Sequence, residues 1–100
     1  MVRRGYFSHD SRDGRTFVTR IRATGYLARA RLWTVGENLA WGSMEKGTPR
    51  TIVSAWMASP PHRRNILNRR FTAIGIAIVA GAPVAAQDAA TYVTEFAHRR

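Results

Sequence analysis

The chain has 100 residues, of which 45% are hydrophobic, and this supports one globular domain over residues 1–100 rather than two. Sixteen basic residues outnumber 6 acidic ones and give a formal net charge of +10, with Lys46 as the only lysine among arginines. Cysteine is absent, which excludes disulfides and cysteine-based metal sites or nucleophiles. No apolar run reaches the roughly 18 residues of a membrane span, and no apolar signal-peptide region follows the basic start.

The first predicted elements are a loop, a helix and a short extended segment. Residues 10–14 are rich in turn formers and predict the loop. Phe17, Val18 and Ile21 recur at helical spacing and predict a helix over residues 15–24, with Gly25 where it would end. Residues 31–35 include the apolar side chains of Leu32, Trp33 and Val35 and predict a short extended segment.

Two further helices have clear starting signals. Thr48 followed by Pro49 predicts a helix start, since the hydroxyl can accept a bond from a free amide and proline suits the first helical position. Ser59 followed by Pro60 predicts a second start, and the two prolines there separate the helices. Their apolar faces comprise Ile52, Val53, Trp56 and Met57, then Ile66 and Leu67.

Two strands complete the predicted fold. Residues 71–80 are rich in β-branched side chains and predict a buried strand, and residues 91–96 predict another after a loop of small residues. Strands joined by about ten residues are typical of an antiparallel pair. The order of elements therefore predicts an α+β domain in which helices cover one sheet.

Two histidines and one carboxylate are the candidates for chemistry. If Ser59 caps its helix, His62 occupies the third helical position, where the helix dipole disfavours a cation and keeps the imidazole neutral. His9 lies between an aromatic pair and an aspartate; each histidine alone is equally compatible with a structural, hydrogen-bonded role. Glu37 lies among apolar residues, so it needs a partner such as histidine, or else braces a turn through backbone amides.

Several motifs in fixed order resemble the bacterial branch of the CAP superfamily, the SCP-like domains that include cysteine-rich secretory and pathogenesis-related proteins. The match runs from Gly5 to about Phe96. It comprises residues 5–11, 25–26, 36–40, 56–68, 71–75 and 92–94. This resemblance implies a three-layer α-β-α sandwich with an antiparallel sheet, and export to the outside of the cell or to its envelope.

The resemblance also implies a cleft that holds a divalent cation, often zinc, between two histidines and two acidic residues. His9 and His62 match the two histidines, and Glu37 matches the acid of the Gly-Glu-Asn motif. Asn38 and Ser59 would line the cleft. Ser59 stands near the position of the second acid, for which Glu95 is a candidate substitute. The long first helix of the family would precede His9, so we interpret the start at Met1 as an N-terminal truncation or a misassigned start.

Three functions follow from these observations. The leading hypothesis is a secreted or envelope-associated domain that binds a divalent cation and a small-molecule, lipid or envelope-polymer ligand. The second is a metal-assisted hydrolase of peptide or envelope polymer, with Glu37 and His62 as catalytic candidates. The third is electrostatic attachment to anionic surfaces through Arg63, Arg64, Arg69 and Arg70, which are also compatible with a solvated surface. No motif for specific nucleic-acid recognition accompanies the charge.

Overall fold

The computed structural model describes residues 8–10 and 14–100. The predicted loop over residues 10–14 and the motif at residues 5–11 lie largely outside this part of the chain. The elements are, in order, helix α1 (Phe17–Ala23), strand β1 (Trp33–Ser43), a 3-10 turn (Met44–Gly47), helix α2 (Pro49–Ala58), helix α3 (Pro60–Leu67), and strands β2 (Ala73–Ala80) and β3 (Ala89–Arg99).

The three strands form one antiparallel sheet in the order β1-β3-β2. Trp33 pairs with Arg99 and Ser43 with Ala89, so β1 and β3 are matched along eleven residues. Strand β2 pairs with the other side of β3, from Ala73 opposite Ala97 to Ala80 opposite Ala90. The predicted antiparallel pair is confirmed, and β1 extends well beyond the predicted extended segment at residues 31–35.

The helices lie on both faces of this sheet. Successive side chains of a strand point to opposite faces. Glu37 contacts Arg20 of α1 on one face, whereas Asn38 contacts His62 of α3 on the other. Helix α1 therefore covers one face, and α2 and α3 cover the opposite face. This is the predicted three-layer α-β-α arrangement.

Local capping explains where the helices begin and end. The Thr48 hydroxyl accepts a hydrogen bond from the Thr51 amide at 3.3 Å, and Pro49 is the first residue of α2, as predicted. Thr16 caps α1 in the same way through the Thr19 amide. Beyond the end of α1, Gly25 has φ +80°, a conformation that glycine adopts without steric cost.

The core lies between α2 and the sheet. Ile52, Trp56 and Tyr92 form its buried cluster. Two polar atoms within this cluster are satisfied by main-chain oxygens: the Trp56 indole donates to the Leu39 carbonyl at 3.0 Å and the Tyr92 hydroxyl to the Gly47 carbonyl at 2.6 Å. These bonds fix α2 and the 3-10 turn against the sheet without leaving a buried donor unpaired.

Strand β2 is exposed, so the prediction of a buried strand was wrong. Ile74, Ile76 and Ile78 point towards the face that carries α2, yet their exposed fractions are 57%, 61% and 55%, respectively. The reason is topological. Strand β2 is at the edge of the sheet, whereas α2 and α3 make their main sheet contacts with β1. An apolar groove of about 260 Å³ lies between β2 and α2.

None of the helices in the described ranges is long and apolar enough to cross a membrane.

Candidate functional site

Glu37 lies at the centre of β1, and its side chain is fully buried at 0% exposure. Gly36, immediately before it, allows Asn65 of α3 to approach the strand, because a Cβ at Gly36 would lie 2.9 Å from the Asn65 side-chain oxygen. A buried carboxylate is costly unless it is paired or protonated. The contacts of Glu37 therefore define the site.

Two side chains from the N-terminal part of the chain bind the Glu37 carboxylate. His9 Nδ1 lies 2.8 Å from Oε1, and Arg20 donates from Nη2 to Oε2 at 2.8 Å. A histidine partner was predicted for Glu37, and the structure supplies one. When Nδ1 carries the proton, it donates to Glu37 and leaves Nε2 as the acceptor of the neutral ring. The His9 side chain is 54% exposed, so this oriented imidazole is accessible to a ligand.

Glu95 completes the polar cluster from the neighbouring strand. It is the direct partner of Glu37 in the β1-β3 pairing. Burial, followed by the hydrogen bond to Glu37 and repulsion from its charge, raises the pKa of Glu95 to about 9, while Arg20 acts in the opposite direction. Oε2 of Glu95 is buried and has no hydrogen-bond partner among the described residues. A carboxyl group with so raised a pKa is protonated at neutral pH, and its proton can be donated to the Glu37 carboxylate.

Glu95 also lines a groove between α1 and the sheet. The groove has a volume of about 270 Å³. Its walls are mainly apolar, and Thr24, Tyr26 and Glu95 supply the polar groups. A neutral carboxylic acid at the base of an apolar groove can recognise a hydrogen-bonding group that is attached to an apolar body.

His62 and Ser59 lie on the opposite face of the sheet. His62 Nδ1 is 2.8 Å from Ser59 Oγ, and the imidazole stacks on the Trp56 ring with centroids 6.4 Å apart. Ser59 is the N-cap residue of α3, as predicted, but its hydroxyl makes no hydrogen bond to a helix amide. The hydroxyl instead binds the histidine one turn later, which holds the ring against α2.

Asn38 links α3 to the sheet from a completely buried position, at 0% exposure. Its amide nitrogen donates to the His62 carbonyl at 3.0 Å, and its oxygen accepts from Asn65 at 2.8 Å. Asn65 also donates to the Glu37 carbonyl at 3.1 Å. Asn38 thus fixes the main chain that carries both Glu37 and His62.

The structure brings Glu37 together with His9, but it does not bring these residues to His62. Within residues 8–10 and 14–100, no group of three or more histidine or acidic side chains is placed to hold a metal ion. Glu37 is occupied by His9 and Arg20, and the His62 ring lies beyond the sheet. The described geometry therefore does not fit an ion held jointly by His9, Glu37 and His62. Without His62, only His9 and Glu37 lie together, and catalytic zinc sites have three protein ligands.

Zinc titration calorimetry tests this separation of the two histidines. We expect His62→Ala to leave any zinc affinity unchanged, because its ring is on the opposite face from Glu37. We expect His9→Ala to remove any binding at the Glu37 cluster. Equal losses in the two variants would contradict this and would show that both rings coordinate the same ion in solution.

Sequence reasoning missed Arg20 as a partner of Glu37. A buried carboxylate predicts a cationic partner, but the chain offers fifteen arginines and their spacing does not identify one. Glu95 was noted as a substitute acid, whereas its pairing with Glu37 depends on the strand register. That register becomes visible only when β1 is known to continue through the Gly-Glu-Asn motif.

Comparisons with known proteins agree with the motifs. A family model described as "CAP: Cysteine-rich secretory protein family" matches residues 1–95. Among curated proteins, the "Uncharacterized protein YkwD" of Bacillus subtilis (strain 168) is 38% identical over 79 residues, which is 79% of this chain and 28% of the relative. The chain thus spans less than a third of that relative's length. No solved structure gives a significant match.

Proposed function

Because the chain belongs to the CAP family, the cysteine-rich secretory protein family, we propose that it is a secreted or envelope-associated binding domain. Its ligand site is the polar cluster of His9, Arg20, Glu37 and Glu95, together with the groove beside α1. The observation that carries this proposal is the 2.8 Å contact between partly exposed His9 and fully buried Glu37. A buried acid that orients an accessible imidazole is an arrangement suited to recognising a ligand.

The size of the groove favours a segment of a polymer as the ligand. Its volume of about 270 Å³ is slightly below the range of roughly 300–1,000 Å³ that is typical of small-molecule sites. One side chain or one short unit of a polymer fits such a space. The apolar walls and the neutral Glu95 acid suit a unit with an apolar body and a polar group. We propose a peptide-containing envelope polymer as this ligand.

Sedimentation with insoluble bacterial peptidoglycan tests the proposed function. We expect His9→Ala to reduce the bound fraction severalfold, because it removes the accessible imidazole, while Arg20 still pairs with the buried Glu37 carboxylate. His62→Ala is the matched control, since the His62 ring lies on the opposite face of the sheet from the His9–Glu37 pair. Equal sedimentation of wild type and His9→Ala would contradict the proposal.

The His9–Glu37 pair also supports hydrolysis as a second candidate function. With Nδ1 bound to Glu37, Nε2 of His9 would accept the proton of an attacking water as a general base. Turnover of peptidoglycan fragments separates the two candidates. Hydrolysis predicts turnover that falls by about 10²-fold or more in Glu37→Gln and is unchanged in Glu45→Gln, whose side chain is exposed. A wild type that binds the polymer without turnover supports the binding role alone.

A further inference from the structure

A third cavity, at the end of the sheet where β1 begins and β3 ends, has the composition of an anion site. It lies where the first residues of β1, the last residues of β3 and the turn after α3 meet, and its volume is about 420 Å³. This volume is within the range of small-ligand sites. Its lining includes Trp33, Arg69, Arg70, Thr72, His98 and Arg100.

The charge of this groove is strongly positive. Three arginines line it, and none of the acidic side chains in the described ranges does. The ion pairs found among residues 8–10 and 14–100 are both made by Glu37, at a different part of the sheet. Three arginines therefore bring formal positive charge to the groove, and no acidic side chain among its lining residues neutralises them.

The main chain that carries these arginines is held in place. The Asn68 side chain accepts a bond from the Arg70 amide at 2.9 Å, which fixes the turn after α3. The Arg31 amide donates to the Arg100 oxygen at 2.8 Å, and the Arg100 amide donates to the Leu32 carbonyl at 2.9 Å. Because the backbone is already fixed, ligand binding has to order only the arginine side chains and not the main chain that carries them.

Donor chemistry identifies the ligand class. Guanidinium groups are planar, carry several N–H donors and bind the oxygens of phosphate in pairs. The Thr72 hydroxyl lies 3.4 Å from His98 Nδ1 and adds a further donor to the same wall. A phosphoryl group, which offers up to three anionic or accepting oxygens, uses such a set more fully than a carboxylate does.

We propose that this basic groove binds a phosphoryl group, with Arg69 and Arg70 as its principal contacts. The apolar rim fits the remainder of a phosphorylated molecule: Leu32 is 64% exposed, and Arg22 lies against the Trp33 ring at 5.4 Å from its centroid. The phosphoryl group can belong to a phospholipid headgroup or to a soluble phosphorylated compound. The site is separate from the Glu37 cluster and does not depend on the function proposed for it.

The test compares two arginine pairs that carry the same charge. The Arg69→Gln, Arg70→Gln variant alters the groove, whereas the Arg63→Gln, Arg64→Gln variant removes two exposed arginines of α3 outside it. Inorganic phosphate is titrated at constant ionic strength and followed by NMR shifts of the groove amides, with chloride as the reference anion. Cosedimentation with phosphatidylcholine vesicles, with and without phosphatidylglycerol, supplies the lipid arm.

We expect the groove variant to weaken phosphate or vesicle binding by about tenfold or more, because it removes charge-assisted bonds, and the α3 variant to change it by less than about threefold. Binding to phosphatidylglycerol vesicles alone assigns a lipid headgroup, and binding of phosphate assigns a soluble source as well. Equal losses in both variants, shifts that chloride reproduces, or no binding in either arm would overturn the proposal.

Discussion

Replacement of Asn38 with alanine is expected to lower the free energy of unfolding by about 3 kcal/mol. Two hydrogen bonds are lost, each with a net contribution of roughly 0.5–1.5 kcal/mol, and the His62 carbonyl loses its donor inside the protein. Because Asn38 has no exposed surface, water cannot take over these bonds without opening the contact between α3 and β1. Urea denaturation measures the change as a lower midpoint with an unchanged slope.

Asn68→Ala is the matched control for this substitution. Asn68 is exposed, and within residues 8–10 and 14–100 its side chain accepts only from the Arg70 amide, so we expect a loss below about 1 kcal/mol. Asn65→Ala combined with Asn38→Ala forms a double-mutant cycle that isolates the contact between the two amides. A midpoint for Asn38→Ala equal to that of Asn68→Ala would show that Asn38 does not hold α3 to the sheet.

Much of the fold could be predicted because its signals are local. The Thr48-Pro49 and Ser59-Pro60 pairs identify helix starts through the fixed φ of proline, and Thr48 also caps its helix through its hydroxyl; neither effect depends on distant contacts. Gly25 likewise marks the end of α1 through its own backbone conformation. The pairing of the two C-terminal strands followed from their separation along the chain.

The burial of β2 could not be predicted in the same way. A β-branched run such as that of Ile74, Ile76 and Ile78 indicates a strand, but its burial depends on which elements pack over it. Here the strand is at the edge of the sheet and the helices lie over β1. The sequence pattern of an edge strand and that of a covered strand are alike at these positions.

The partner of Glu37 in the candidate site could be predicted, but the position of His62 could not. A partner for buried Glu37 follows from the cost of an isolated charge, and His9 is that partner. The separation of His62 follows from strand alternation, because Glu37 and Asn38 are neighbours in β1 and point to opposite faces. Gly36 and the polar Glu-Asn pair concealed that strand, since glycine and these polar residues are uncommon in strands.

The neighbouring acids Glu37 and Glu95 predict that the protein loses stability as pH rises, and Glu95→Gln should abolish this loss. The pKa of Glu95 is raised from 4.5 to about 9 in the folded protein. Between these two values the folded state holds a proton that the unfolded state has released. The free energy of unfolding therefore decreases as pH rises through this range, by at most about 1.4 kcal/mol per pH unit for one proton.

Glutamine at position 95 keeps the shape of the acid and donates to Glu37 without a titrating proton. We therefore expect Glu95→Gln to exceed the wild type in stability above neutral pH, with a difference that grows towards pH 9. Chemical denaturation at each pH measures this difference. It isolates the Glu95 carboxyl, because Glu37, Arg20 and His9 are present in both proteins.

Glu45→Gln provides the reference for removing one negative charge from an exposed position. Its profile should run parallel to that of the wild type, since Glu45 is solvated in both the folded and the unfolded state. If Glu95→Gln also ran parallel to the wild type between pH 5 and 9, Glu95 would not hold the shared proton. Its buried Oε2 would then need a different donor, and the neutral acid proposed at the base of the groove would be absent. A growing difference would instead identify Glu95 as the acid that lets two carboxyl groups share one buried position in the sheet.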